Sequence, residues 1–466
     1  MACETIFEGG LALKTDDGGL GLVAGATLGG GGAVNWSASL QTPHYVRKAW
    51  AEEMNLPYFQ TPDFQRQLDA VCARMGVTTP THHNHRNAGL LSGARKLGYA
   101  AAAVPQNAPV EHQDAFCSCG CGCAPHARKM GTVHTWLPDA SRAGARFITE
   151  FKCESLLFSH EHPSRVVGVS GVHGKRETPV VIRARETVVS AGTLNTPVLL
   201  LNSGLTSPHI GANLHLHPGV MMYAQYPERR DPAVGACLTS IVSSFDNLDG
   251  RGHGVRLETT SMGAPALALS GLAWTGGEEW KRDILAYQRT DGYLAIVREE
   301  HTGRVYADEQ GRSRVQYTAG AKEREWLLLG IEAIAKIALT EGAVKIFAPI
   351  NGFPPFARQG DCELGIMDPH FQAWLAKLRR TGLASPNAIL ASAHQMSSCR
   401  IGATARDGVV DIAGRVWGHA GVVIADASIL PTASGANPMV TTMAVARHVA
   451  EGVVERLTAG GKSTGV

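Results

Sequence analysis

What this chain does not have narrows it first. No window offers the ~18 uninterrupted apolar residues of a membrane-spanning helix, and the most apolar helical stretch, 325–350, is broken by Glu332, Lys336, Glu341 and Lys345. Net charge is nearly absent, with 43 Lys+Arg against 41 Asp+Glu, so neither nucleic acid nor a charge-driven membrane partner is indicated. The opening MACETIFEGG carries no basic region followed by an apolar core, so no signal peptide is visible. No internal repeat or long linker appears. The ten cysteines are not spread as a disulfide framework: Cys117, Cys119, Cys121 and Cys123 crowd into one short run, while Cys3, Cys72, Cys153, Cys237, Cys362 and Cys399 are scattered. In a chain of this size that pattern fits a reducing compartment. The expectation is a soluble or membrane-peripheral intracellular protein.

What is present begins with length and glycine. The 466 residues allow a large core and roughly two to three domain-sized units. The 53 glycines exceed the usual share of about 7%, which indicates many tight turns and close backbone approaches, as around a cofactor. Thr42-Pro43 and Thr61-Pro62 each read as an N-cap followed by a first-turn proline, predicting helices over 43–55 and 61–75. TVHTWLPDASRAGA (132–145) also looks helical. Alternating strands follow from about 146, and ETVVSAG runs into a helix over TLNTPVLLLNSGL, a strand-to-helix step typical of α/β folds. From 213 to 385 the pattern changes to alternating strands (VMMYAQY, GVRLETT, GYLAIVRE), a hairpin GRVYADEQGRSRVQY and one long helix near 321–340. Strand-then-helix order resumes with GVVIADAS and a closing helix. The predicted architecture is an α/β domain in two parts (1–212 and 386–466), interrupted by an α+β unit with an antiparallel sheet (213–385).

Four segments carry chemistry. GATLGGGGAVNW (25–36) sets four glycines beside Asn35, so backbone can approach a flat or phosphorylated ligand. AGTLNTPVLLLNSGL (191–205) places a turn at the carboxyl end of a strand, where α/β folds bind ligands. SAHQMSSCRIG (392–402) presents one histidine among small residues. IADASILPTASGANPMVTTMA (424–444) ends a strand at Asp426 and then opens a helix with Asn437-Pro438.

These segments, in this order and over essentially the whole chain, resemble the glucose–methanol–choline (GMC) family of FAD-dependent oxidoreductases, in particular its long-chain fatty alcohol oxidase branch. The run CSCGCGCAPHARKMGT is similar to a Cys/Gly-rich stretch of that branch; Thr206, after Ser203-Gly204-Leu205, is a minor departure from the second segment's pattern. The resemblance implies a Rossmann-like FAD-binding domain and oxidation of a primary alcohol, a long-chain fatty alcohol, to its aldehyde. It implies hydride transfer to flavin N5, with O2 as acceptor and hydrogen peroxide as co-product. It places His394 and Asn437 at the catalytic positions. A neutral imidazole suits the proton step, and an amide can orient the hydroxyl. By the same resemblance Gly29, Gly30, Asn35 and Trp36 form the flavin-facing loop, Asp426 and Ala427 lie along the ribityl and phosphate chain, and Asn437, Pro438 and Met439 lie under the isoalloxazine ring.

One departure is large. The strand–GxGxxG–helix unit that would hold the ADP half of FAD is not found, and Gly19-Leu20-Gly21 lacks the third glycine. The favoured expectation is an N-terminally truncated sequence; the alternative is an impaired homologue unable to hold FAD. A rival reading takes Cys117–Cys123 with His126 as a metal-binding module, but CxCxCxC spacing strains a single tetrahedral site and no second pair is evident, so no metal is assigned. His82, His83 and His85 read as a solvated loop. His215 and His217 in NLHLHPG read as alternating on a strand and facing one side.

Overall fold

The structure, a computed structural model, describes residues 9, 13–108, 129–260, 267, 272, 274, 276–360 and 364–461. The cysteine cluster 117–123 and His126 lie outside them. No helix among the described residues is long and apolar enough to cross a membrane.

A nine-stranded mixed sheet dominates the architecture. Its path runs Leu20–Leu22, Leu390–Ser392, Gly219–Gln225, Thr290–Arg298, Gly254–Thr260, Ser240–Val242, Ala101–Ala103. Leu390–Ser392 and Lys345–Phe347 share one edge of Gly219–Gln225, each covering one end, and Phe356–Ala357 lies beyond Lys345–Phe347. All these pairings are antiparallel except that of Leu20–Leu22 with Leu390–Ser392. Most strands come from the predicted 213–385 unit. Leu20–Leu22, Ala101–Ala103 and Leu390–Ser392 come from outside it, because a three-residue strand carries no readable period and its pairing is set by its partners.

The helix Ala321–Thr340, predicted in place, covers one face of this sheet. Alternation along the strands sorts their side chains. Val255 and Leu257, with Ala295 on the neighbouring strand, approach the helix at Gly330. Arg256 and Glu258, with Ile296 and Arg298, point to the opposite face and line a cavity. The strand Gly254–Thr260 is therefore buried along its whole length, its charged residues included.

The second unit is built on a parallel pair, Thr187–Val189 with Val422–Ile424. The first of these strands runs into the helix Gly192–Asn202, and the closing helix Met439–Gly461 packs on Pro62–Arg74. Val189, Leu200, Val422, Val423, Ile424, Val440 and Val449 share one buried cluster. The Thr61 hydroxyl accepts from Phe64 N and caps Pro62–Arg74, as its Thr-Pro signal predicts. A three-stranded antiparallel sheet, Phe151–Phe158, Val166–His173 and Thr178–Arg183, flanks this unit. The mixed α/β architecture with a separate antiparallel sheet matches the predicted fold class.

Gly330 tests how closely the long helix sits on the sheet. A Cβ there would lie 2.7 Å from Val255 Cγ2 and 2.9 Å from Ala295 Cβ. Gly330→Ala is expected to destabilise the protein by about 1–3 kcal/mol through overpacking, despite the gain of up to ~1 kcal/mol in helix propensity. Denaturant unfolding measures it, and a stabilised variant would show that the helix can lift away without loss.

Candidate functional site

The strand Leu390–Ser392 ends beside the segment 214–217, and the contact between them builds the site. Met396 and His215 exchange backbone hydrogen bonds. The Ser392 hydroxyl donates to the Leu216 carbonyl and accepts from His394 N at 3.1 Å. These bonds turn the His394 ring toward His217, with their Nδ1 atoms 3.2 Å apart. His215 and His217 were expected on a strand facing one way. They precede the strand instead, and His217 takes φ +47°, a conformation uncommon outside glycine. His215 approaches Glu299 at 3.4 Å, while His217 meets His394.

The turn 432–437 closes the other side. Arg298, buried, donates from Nε to Ala433 O at 3.0 Å and from Nη1 to Arg251 O at 3.1 Å. Trp50 Nε1 donates to Thr432 Oγ1 at 2.7 Å. Thus fixed, Gly435 at φ +68° directs its N–H to His217 Nε2 at 3.3 Å. A Cβ on Gly435 would come within 2.8 Å of Val46 and 3.2 Å of Arg298, so the turn requires glycine. Asn437 then reaches the cavity, where its Nδ2 donates to Glu258 Oε2 at 3.4 Å and its Oδ1 is buried with no hydrogen-bond partner.

His394 and Asn437, 43 positions apart, therefore line one narrow cavity of about 20 Å³ together with His217, Arg256, Glu258 and Arg298. Burial lowers His394 to about 4 and His217 to about 3, so both imidazoles are neutral near pH 7. Burial also raises Glu258, which is only 2% exposed, to about 7, against the attraction of Arg256 and the bond from Asn437. Asp246, at the rim, is tied to Arg256 at 2.8 Å.

The other predicted residues form a shelf beside this cavity. Gly29 and Gly30 take φ +94° and +52° and lead into the short helix Gly31–Val34. Asn35 Nδ2 donates to Met439 Sδ at 2.9 Å, which ties the glycine loop to the start of the closing helix after Pro438. Lys129 Nζ holds the loop's far end through Ala33 O and Asn35 O. Trp36 is turned aside and packs on the small cluster of Ala38, Val104 and Leu238. Asp426 receives Gly192 N at 2.9 Å and the Thr196 hydroxyl at 2.5 Å on one oxygen, and Ser428 N at 2.8 Å on the other. It thus fixes the strand-to-helix turn and caps the short helix begun by Ala427. The half-exposed glycine loop, the Gly192 turn and the 437–439 turn together suit a flat, phosphate-bearing ligand such as FAD, and the unpartnered Asn437 Oδ1 awaits a donor.

The histidines at 82–85 are not brought to the site; His83 bonds Thr239 at 2.8 Å. Among the described residues, Asp249, His253 and Glu300 form a cluster of potential metal ligands. Their mutual bonds and Lys322 already satisfy them. Sequence reasoning missed Glu258, Arg256, Arg298 and Glu299. The signal was there in GVRLETT, whose Arg256 and Glu258 alternate on one face, but such alternation reads as a solvated sheet face until the covering element is known.

Comparisons with known proteins agree with this geometry. The family profile described as GMC oxidoreductase matches residues 3–219 with its N-terminal part and 299–446 with its C-terminal part. The long-chain-alcohol oxidase FAO4B of Arabidopsis thaliana is 35% identical over 97% of this chain and 61% of its own length. The long-chain-alcohol oxidase FAO3 of the same plant is 31% identical over 98% and 62%. The chain thus spans about three fifths of the length of these relatives. Among solved structures, pyridoxine 4-oxidase from Mesorbium loti shares the fold with a TM-score of 0.64, covering 93% of this chain and 85% of its own at 16% identity.

The shifted groups make stability depend on pH in two directions. An unfolded imidazole titrates at 6.5. Between that value and the lowered ones, the unfolded chain binds protons the folded chain refuses. The contribution of His217 and His394 is therefore present above about pH 6.5 and lost as pH falls through about 4. Glu258, raised from 4.5 to about 7, contributes fully below 4.5 and loses its contribution as pH rises through 7. In thermal unfolding across this range, His394→Gln is expected to flatten the acid side and Glu258→Gln the alkaline side. Parallel curves for both variants would contradict the assigned shifts.

Proposed function

The chain belongs to the GMC oxidoreductase family, and on that premise we propose that it serves the FAD-dependent oxidation of a primary alcohol. The observation that carries the proposal is the meeting of His394 and Asn437 in one buried cavity beside the glycine-rich shelf. Oxidising an alcohol removes a proton from the hydroxyl and a hydride from the same carbon. The neutral His394 imidazole and the unpartnered Asn437 Oδ1 offer that hydroxyl a ring nitrogen and an acceptor within one cavity. FAD, when bound, supplies the hydride acceptor at flavin N5.

Gly29, Gly30, Asn35 and the turn Asn437-Pro438-Met439 would hold the flavin, with Asp426 and Ala427 fixing the neighbouring turn and Trp36 stiffening the loop from behind. The names of the Arabidopsis relatives support a long-chain fatty alcohol as substrate and O2 as acceptor. The products are then the aldehyde and hydrogen peroxide.

Purified chain supplied with FAD is expected to turn yellow and to oxidise a long-chain primary alcohol with release of peroxide. His394→Ala is expected to lower turnover by ~10²–10⁴-fold, the range for a lost acid–base group. Undiminished turnover in that variant would overturn the assignment of His394.

A further inference from the structure

Three neighbouring strands at the centre of the large sheet, Gly219–Gln225, Thr290–Arg298 and Gly254–Thr260, are buried almost throughout. The exceptions are Met221, Leu294 and Ile296, each half-buried. All three are apolar, and all three point to one face. Ile296 lines the cavity. Leu294 stands two residues along the same strand and so shares its face; it pairs with Glu258 on one side and Met221 on the other. Apolar side chains in the middle of a sheet are ordinarily covered, because contact with water forgoes the stabilisation of burial. Here they form a continuous open stripe. It begins in the cavity wall and runs away from Arg298 and the turn that Arg298 holds.

The stripe has a floor, a closed side and an end. Gly219, opposite Ile296, has no side chain to fill the space above it, and Leu294 leans over it with Cδ1 3.4 Å from where a Cβ would stand. Beyond Glu258 the same rung continues to Ile241, which is buried in the cluster that Trp36 packs on, so the glycine-rich shelf takes that side. At the far end Tyr223 pairs with Gly292 and lays its ring there, Cε1 lying 3.1 Å from the position of a Gly292 Cβ. The Tyr223 hydroxyl donates to Met221 Sδ at 3.3 Å, and its ring packs with Leu267, Leu272 and Phe347. The spacing of residues and strands in a sheet puts Ile296 and Tyr223 roughly 14 Å apart.

The cavity itself holds little more than the reacting end of a substrate: it measures about 20 Å³, where a single water needs roughly 10–15 Å³. The carbon chain of a long alcohol must therefore lie outside it. We propose that this chain lies along the stripe Ile296–Leu294–Met221 and that Tyr223 stops it. The proposal rests on the alcohol-oxidation reading above and names the residues that select chain length. Each CH2 laid on the stripe leaves water and strengthens binding by roughly threefold to fourfold, until the chain meets Tyr223. A short alcohol reaches only Ile296, whereas a fatty chain covers all three side chains. A polar tail would lose its hydration there and find no hydrogen-bond donor on any of the three.

The test combines kinetics with a measurement that needs no turnover. Across the series from butanol to dodecanol, kcat/KM of the chain supplied with FAD is expected to climb with each added CH2. Leu294→Asn, which makes the stripe polar, and Leu294→Trp, which fills it, are each expected to lower the dodecanol-to-butanol ratio of kcat/KM by ~10-fold or more. A ratio is read because a general loss of folding lowers both substrates together and leaves it unmoved. Tyr223→Ala, which opens the end, is expected to shift the best chain length upward; an unmoved optimum removes Tyr223 as the stop. Independently, dodecanol carrying a photoreactive diazirine in mid-chain is expected to label Met221, Leu294 or Ile296, as mapped by peptide mass spectrometry, and Leu294→Trp to suppress that labelling. Adducts confined to other segments, or a ratio unmoved in both Leu294 variants, overturn the proposal while the alcohol-oxidation reading stands. If the wild type oxidises no alcohol, that reading fails, and the labelling decides the stripe by itself.

Discussion

Glu299 accepts hydrogen bonds from the backbone amides of Leu216 and His217 in a fully buried position, and the site depends on that grip. Burial alone would raise its carboxyl; the nearby His215 and the amide donors more than offset this and hold it at about 2. The carboxylate is thus charged across the physiological range and keeps the segment 214–217 in a shape its sequence would not choose. His217 at φ +47° is the visible result. A backbone held off its preferred conformation persists only where the surroundings over-determine it. Here the Glu299 carboxylate, the Ser392 hydroxyl and the Gly435 amide all converge on the same two residues, Leu216 and His217.

From that anchor the geometry propagates outward. His217 packs edge-on against His394 and meets its Nδ1 at 3.2 Å. Arg298, the chain neighbour of Glu299, fixes the turn 432–436 from the other side through Ala433 O. Two adjacent residues at the end of one strand therefore position both halves of the site, one through a carboxylate and one through a guanidinium. The cavity lies between a sheet, which supplies Arg256 and Glu258 from its polar face, and a turn, which supplies Asn437. Rigid strands and a glycine turn under tight packing are suited to holding such groups in fixed geometry.

The pattern of shifted groups belongs to the same design. Two imidazoles are kept neutral by burial while one carboxyl is lifted toward neutrality. Groups pushed from their ordinary ranges within one cavity are what a proton-handling site requires. The buried Tyr226–Tyr293 pair, with hydroxyls 2.7 Å apart, shows the contrast: it is also strongly desolvated but sits within the apolar core and lines no cavity described here.

The amino-acid sequence by itself determined the elements with long periods and clear ends, such as Ala321–Thr340 and Pro62–Arg74, because their signals lie in neighbouring residues. It also pointed to His394 and Asn437, through the likeness of their flanking segments to a known family, and the structure brings the two to one cavity. The tertiary structure decided the rest. Leu20–Leu22 and Ala101–Ala103 are too short to show a period, and they become strands only because a sheet edge receives them. Trp36, read as part of the flavin-facing loop, is partly buried and packs on the cluster of Val104 and Leu238, a contact no local pattern announces. Glu258 stands in GVRLETT, expected only as an alternating strand; its burial beside the turn 435–437 raises its carboxyl to about 7 and sets it in the cavity wall. Burial, tautomer and charge depend on what lies across a cavity, and residues that meet there are separated by up to hundreds of positions in the chain, so no local pattern records them.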